Sequence, residues 1–135
     1  MAGTREGSED RVLLVEDDMA TARAMTRLME SVGFKVSIAS TLAEGLAGLA
    51  TMPALVVLDL MLPDGSGLEV LEAIRRGNLR SKVAVVSAST ELETFERMRK
   101  SQPDAIFPKP VDFQDFADWL CETFAGASHE HSKAA

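Results

Sequence analysis

Polar side chains capable of chemistry stand where short apolar runs stop. Glu16, Asp17 and Asp18 follow Val12 to Val15, Asp59 follows Ala54 to Leu58, Ser87 closes Val83 to Ser87, and Lys109 with Pro110 follows Ala105 to Phe107. Carboxylates crowded together repel one another, which raises their pKa values or demands a cation, and an all-oxygen site suits Mg²⁺ with several retained waters. Lys109 would add a second positive charge and Ser87 a hydroxyl donor. A cation, an ammonium and a hydroxyl around one carboxylate are what a phosphoryl group needs if Asp59 attacks phosphorus and becomes an acyl phosphate. Taken singly, each residue has a plainer reading. Acidic residues after a strand cap the next helix, a lysine is usually solvated, and a serine sits in turns. Only convergence of all of them makes a site, so the elements that carry them decide the matter.

Those elements alternate. Apolar runs at 12–15, 34–39, 54–58, 83–87 and 105–107 are separated by helical patterns near 18–32, 41–51, 67–77, 90–101 and 112–125. Thr41 with Glu44 and Thr90 with Glu93 have capping-box spacing, Asp112 can cap the last helix, and Gly33 suits the end of the first. Gly45 and Gly48 weaken the second helix by about 1 kcal/mol each. In the last helix Phe113, Phe116, Ala117, Leu120 and Phe124 share one face. Five βα units with short connections predict an α/β fold, a doubly wound parallel sheet covered by five helices. The runs "VLLV", "LVVL" and "VAVV" are apolar on both faces and predict central strands. "FKVSIA" alternates and "AIF" runs into Pro108, which predicts edges. With right-handed crossovers the order is 2-1-3-4-5, flavodoxin-like. Functional groups in such a sheet gather beyond the carboxyl ends of the strands, where the polar residues above fall.

The 135 residues, 46% of them hydrophobic, suffice for one domain. The expected organisation is a flexible tail at 1–10, a domain at 11–125 and a second flexible tail at 126–135. A formal charge of −7 without basic residues interleaved with aromatics argues against direct nucleic-acid binding. No apolar run approaches the roughly 20 residues of a membrane span, and the polar start lacks a signal peptide's apolar core. A cytoplasmic protein with no membrane contact is expected. Cys121, the single cysteine, reads as a small packing residue of the last helix, and the histidines of "SHEH" read as tail bystanders.

At these residues the chain resembles the receiver (response regulator) domain of two-component signalling, CheY-like, over about 11–125. The carriers are "VLLVEDD", "VVLDLMLPDGSGLEVLEAIR", "VVSAS" and "KP", in that order. The resemblance implies that Asp59 accepts phosphoryl from the phosphohistidine of a sensor histidine kinase or a histidine phosphotransfer protein. It implies Mg²⁺ held by Asp17, Asp59 and the Met61 backbone carbonyl, with Glu16 acting through water and Asp18 a bystander or cap. Ser87 and Lys109 would grip phosphoryl oxygens, the Lys109–Pro110 bond would be cis, and the switch would catalyse only its own phosphorylation and dephosphorylation. The expected output is a contact with a downstream protein, or a phosphorylation-dependent homodimer, made by a stand-alone receiver.

Ile106 departs from the family, which usually places an aromatic three residues before the lysine to couple the hydroxyl residue to the surface of the fourth and fifth helices. Trp119, off the apolar stripe of the last helix, is a candidate for that contact surface or for packing beside the core. Two rivals remain. One is a receiver-like scaffold that needs no phosphate, motivated by Ile106 and the stiffening prolines Pro103 and Pro108. The other is an aspartate-nucleophile phosphatase of the haloacid dehalogenase type, which would need a second acid where Met61 stands.

Overall fold

The computed structural model describes residues 10–88 and 92–124. The main sheet comprises β1 (Arg11–Val15), β2 (Lys35–Ala39), β3 (Leu55–Asp59), β4 (Lys82–Ser87) and β5 (Ala105–Pro108). The helices are α1 (Met19–Ser31), α2 (Leu42–Gly48), α3 (Leu68–Arg76), α4 (Leu92–Ser101) and α5 (Phe113–Thr123). All neighbouring strands of this sheet are parallel, in the order β2-β1-β3-β4-β5. That is the flavodoxin-like arrangement expected from the apolar runs. β3 is buried along its whole length, and β1 and β4 are buried apart from their outermost residues. By contrast β2 and β5 are mostly exposed or half-buried, as edges should be.

Alternate residues of the central strands feed two cores. Leu13, Val15, Val56, Leu58, Val83 and Val85 pack with Leu42 of α2, Leu71 and Ile74 of α3 and Met98 of α4. Val12, Leu14, Leu55, Val57, Ala84 and Val86 pack with Met25 and Met29 of α1 and with Phe116 and Leu120 of α5. Full burial of a Val, Leu or Met side chain contributes about 1.5–3 kcal/mol. Two such layers make the central strands rigid carriers for whatever stands at their ends.

Several helix ends follow local chemistry. Asp18 accepts from Thr21 N at 3.1 Å and caps α1, while Asp112 accepts from Gln114 N and Asp115 N and caps α5. Gly33, at φ +102°, lets Gly33 N and Phe34 N turn back to the carbonyls of Glu30 and Met29 and close α1. Thr90 and the two tails beyond residues 10–124 lie outside the described residues.

Three expectations are corrected. The second helix does not run to residue 51: α2 ends at Gly48, and Leu49–Thr51 form a 3₁₀ turn before Met52 at φ 55°. Its glycines have a packing reason, since a Cβ on Gly48 would lie 2.7 Å from Leu13 Cδ1 and one on Gly45 3.1 Å from Val15 Cγ1. The helix lies too close to β1 for side chains there. Phe113 shares the apolar azimuth of α5 yet is exposed, because it opens the helix above a groove lined by Ala20, Thr21, Ala24, Pro110 and Val111 rather than above the sheet. Cys121 is exposed as well, not packed.

Candidate phosphoacceptor site

The register aligns the carboxyl ends of the strands along one edge, with Val15 opposite Ala39, Asp59 opposite Val86, and Ser87 opposite Pro108. Glu16 and Asp17 therefore follow β1 directly beside the end of β3. One carboxylate oxygen from each of Glu16, Asp17 and Asp59 fits within 4.8 Å of the others. Glu16 is 1% exposed and Asp59 5%, whereas Asp17 is open to solvent.

Lys109 closes the cluster. Its Nζ lies 3.1 Å from Asp59 Oδ2 and 3.1 Å from Glu16 Oε1. Its backbone N donates to the Ser87 carbonyl at 3.1 Å, so the end of β4 fixes where the lysine starts. The Lys109–Pro110 peptide is cis. Burial raises the Glu16 pKa, opposed by the Asp18 amide at 3.1 Å and by Lys109. Burial would depress the Lys109 pKa, but hydrogen bonds to Asp59 and Glu16 outweigh it and the net direction is upward. The lysine is thus firmly an ammonium, held by two carboxylates.

A cavity of about 400 Å³ opens over this cluster, lined by Asp17, Asp59, Met61, Leu62, Pro63, Ala88 and Lys109. Met61 stands at its lip, 65% exposed, and its backbone N donates to Asp59 Oδ1 at 3.0 Å. Ser87 does not line this cavity. It faces an adjoining one of about 160 Å³ between α4 and β5, with Leu60, Thr94, Phe95, Met98, Ile106 and Pro108. Ile106 and Phe95 are both exposed at that second opening. Trp119 is half-buried against Phe107, Phe116 and Phe124, so its ring belongs to the α5 core rather than to a free contact surface.

The segment after Asp59 is a small hairpin in which Met61–Leu62 pairs antiparallel with Gly65–Ser66. Gly67 N donates back to the Leu60 carbonyl at 2.9 Å, and a Cβ on Gly67 would sit 2.1 Å from the Asp59 carbonyl oxygen. One residue here escaped the sequence reading. Asp64, which looks like an ordinary turn residue between Pro63 and Gly65, accepts hydrogen bonds from Leu42 N and Ala43 N of α2. Those partners lie about twenty residues earlier, so no local signal marks the role.

The receiver-domain model of response regulators matches residues 12–120, and the chain belongs to that family of two-component receivers. Acid tolerance regulatory protein ActR of Rhizobium meliloti (strain 1021) is 38% identical over 110 residues, 81% of this chain and 57% of its own length. Cell cycle transcriptional regulator CtrA of Caulobacter vibrioides (strain NA1000 / CB15N) is 36% identical over 101 residues, 74% of this chain and 44% of its own. A solved CheY-like receiver domain protein from Methanospirillum hungatei JF-1 superposes with a TM-score of 0.72 at 30% identity, covering 93% of this chain and 98% of that one. The chain spans about half the length of these curated relatives. CtrA is named a transcriptional regulator, so the expectation of no nucleic-acid contact does not carry from these residues to a longer protein. Among the described residues no helix is long and apolar enough to cross a membrane.

Proposed function

We propose that this receiver is a phosphorylation-dependent switch in which Asp59 accepts phosphoryl from the phosphohistidine of a sensor kinase or phosphotransfer protein. The observation that carries the reading is the bridge from Lys109 to Glu16 and Asp59, set in an open cavity beside a third carboxylate. A carboxylate oxygen of Asp59 attacks phosphorus, the N–P bond breaks, and the donor imidazole departs with the electron pair. Lys109, already 3.1 Å from the nucleophile, would follow the new negative charge onto the phosphoryl oxygens. Ser87, which faces the second cavity beside α4, would supply a hydroxyl donor on turning from there toward Asp59.

The donor set fits a hard divalent ion, because among the described residues three carboxylates outnumber the one ammonium paired with them, Lys109, and every offered atom is oxygen. Asp17, Asp59 and the Met61 carbonyl would hold Mg²⁺, with Glu16 acting through water. When bound, the ion neutralises charge on the transferring phosphoryl group.

Intact mass after incubation with acetyl phosphate and Mg²⁺ tests the reading. Wild type should gain a single phosphate, and Asp59→Asn and an EDTA-treated sample should gain none. If wild type gains none and also fails to bind beryllofluoride, the phosphate-independent scaffold takes its place. Turnover of small phosphate esters would instead support the phosphatase reading, which Met61 disfavours because it offers no second acid.

A further inference from the structure

We propose that Asp64 is a positioning residue that holds the wall of the phosphoacceptor cavity by tying the tip of the hairpin to the first turn of α2. This rests on the reading above only for the identity of what the cavity receives. Pro63 and Asp64 form the two-residue turn between the paired segments Met61–Leu62 and Gly65–Ser66. On one side of the turn Leu62 and Pro63 line the cavity over Asp59, and Met61 N donates to the Asp59 carboxylate. On the other side Asp64 Oδ1 accepts from Leu42 N at 2.6 Å and Oδ2 from Ala43 N at 3.0 Å. A two-residue ladder holds the base of the hairpin, and Asp64 holds its tip.

Two further observations separate this from an ordinary helix cap. The local cap is already present, since Thr41 Oγ1 accepts from Glu44 N at 3.0 Å. Asp64 supplies the remaining two amides of the first turn with both oxygens of an ionised group, the stronger kind of hydrogen bond. Those amides also pull the Asp64 pKa down, which keeps it an acceptor at neutral pH. Next to it, a Cβ on Gly65 would lie 2.7 Å from Leu42 Cδ2, so the hairpin backbone rests directly on a side chain buried beneath α2. The cavity wall and α2 therefore move as one piece, with Asp64 as the polar half of the joint.

Thr41→Ala is the matched control, because it removes a cap of the same helix without touching the hairpin. The probes are Mg²⁺ alone, by calorimetry, and amide hydrogen exchange of Met61 without any ligand. Asp64→Ala should weaken Mg²⁺ binding by about 10-fold, as loss of an outer-shell partner does, and speed Met61 exchange. Asp64→Asn, which keeps one acceptor oxygen, should fall between Asp64→Ala and wild type. Thr41→Ala should leave both readouts near wild type. If Asp64→Ala matches Thr41→Ala in both, the role is only structural and the proposal is overturned. If wild type binds Mg²⁺ but gains no phosphate, the switch reading fails alone, since the Mg²⁺ comparison still judges Asp64. If wild type binds no Mg²⁺, the exchange comparison judges it.

Discussion

Lys109 Nζ sits at the same 3.1 Å from Asp59 as from Glu16, so one positive charge is shared between two carboxylates buried side by side. Removing one partner of a buried charge group leaves the rest uncompensated, at about 3–5 kcal/mol for full burial. Lys109 is itself 23% exposed, so solvent lowers that figure. Lys109→Met should cost about 1–2 kcal/mol in urea unfolding with EDTA present. Added Mg²⁺ should recover more stability in the variant than in wild type, because the ion then has more unscreened charge to neutralise. Equal Mg²⁺ effects in both proteins would count against this electrostatic account.

Glu16 allows a pH experiment with a definite sign. Burial raises its folded pKa above the ordinary 4.5. A carboxyl raised on folding contributes stability that is fully present below its unfolded pKa and is lost as pH rises through the folded value. Glu16→Gln removes that dependence and keeps Lys109 paired with Asp59. In EDTA the variant should therefore gain on wild type as pH climbs from about 4 toward neutrality. Urea midpoints across that range check it, and a constant difference between the two proteins would refute it.

The architecture was readable because central parallel strands, covered on both faces, must be written as unbroken apolar runs. "VLLV", "LVVL" and "VAVV" are such runs, and the groups at their ends inherit positions from the register. Caps such as Asp18 and Asp112 were equally legible, since their partners lie within three residues. What could not be read depends on distance in the chain. Asp64 reaches back to α2, and Gly48 is small because Leu13, 35 positions earlier, leaves no room. Helical periodicity gave the azimuth of Phe113 correctly but not where the sheet beneath it stops. Ser87 was rightly placed at a strand end, yet which of two adjoining cavities it lines follows from the packing of α4.

Met61 is an exposed apolar side chain at the lip of the cavity, two residues beyond the proposed phosphoacceptor. An acyl phosphate is lost when water reaches phosphorus, and a thioether chain beside the opening displaces water without offering it a hydrogen bond. An asparagine there would orient one instead. Met61→Asn should shorten the lifetime of phosphorylated Asp59 by about 10-fold, a barrier change of about 1.4 kcal/mol. Intact mass followed over time after removal of acetyl phosphate measures it, and an unchanged lifetime would dismiss the shielding role.

Gly67 sets how closely the hairpin folds back on the strand that carries Asp59. A Cβ there would stand 2.1 Å from the Asp59 carbonyl oxygen and 3.0 Å from its carbonyl carbon. Both are backbone atoms of a buried strand, so no flexible side chain can yield. Gly67 is the N-cap of α3, a position where alanine is a poorer residue than glycine, so the helix offers Gly67→Ala no compensating gain. Overpacking that forces backbone shifts costs about 1–3 kcal/mol. The shift must fall on the Asp59 backbone or on the hairpin that walls the cavity. The variant should therefore lose phosphate uptake from acetyl phosphate out of proportion to its loss of stability. A folded Gly67→Ala protein that takes up phosphate at the wild-type rate would mean that the strand end tolerates displacement, and that the site is looser than its contacts suggest.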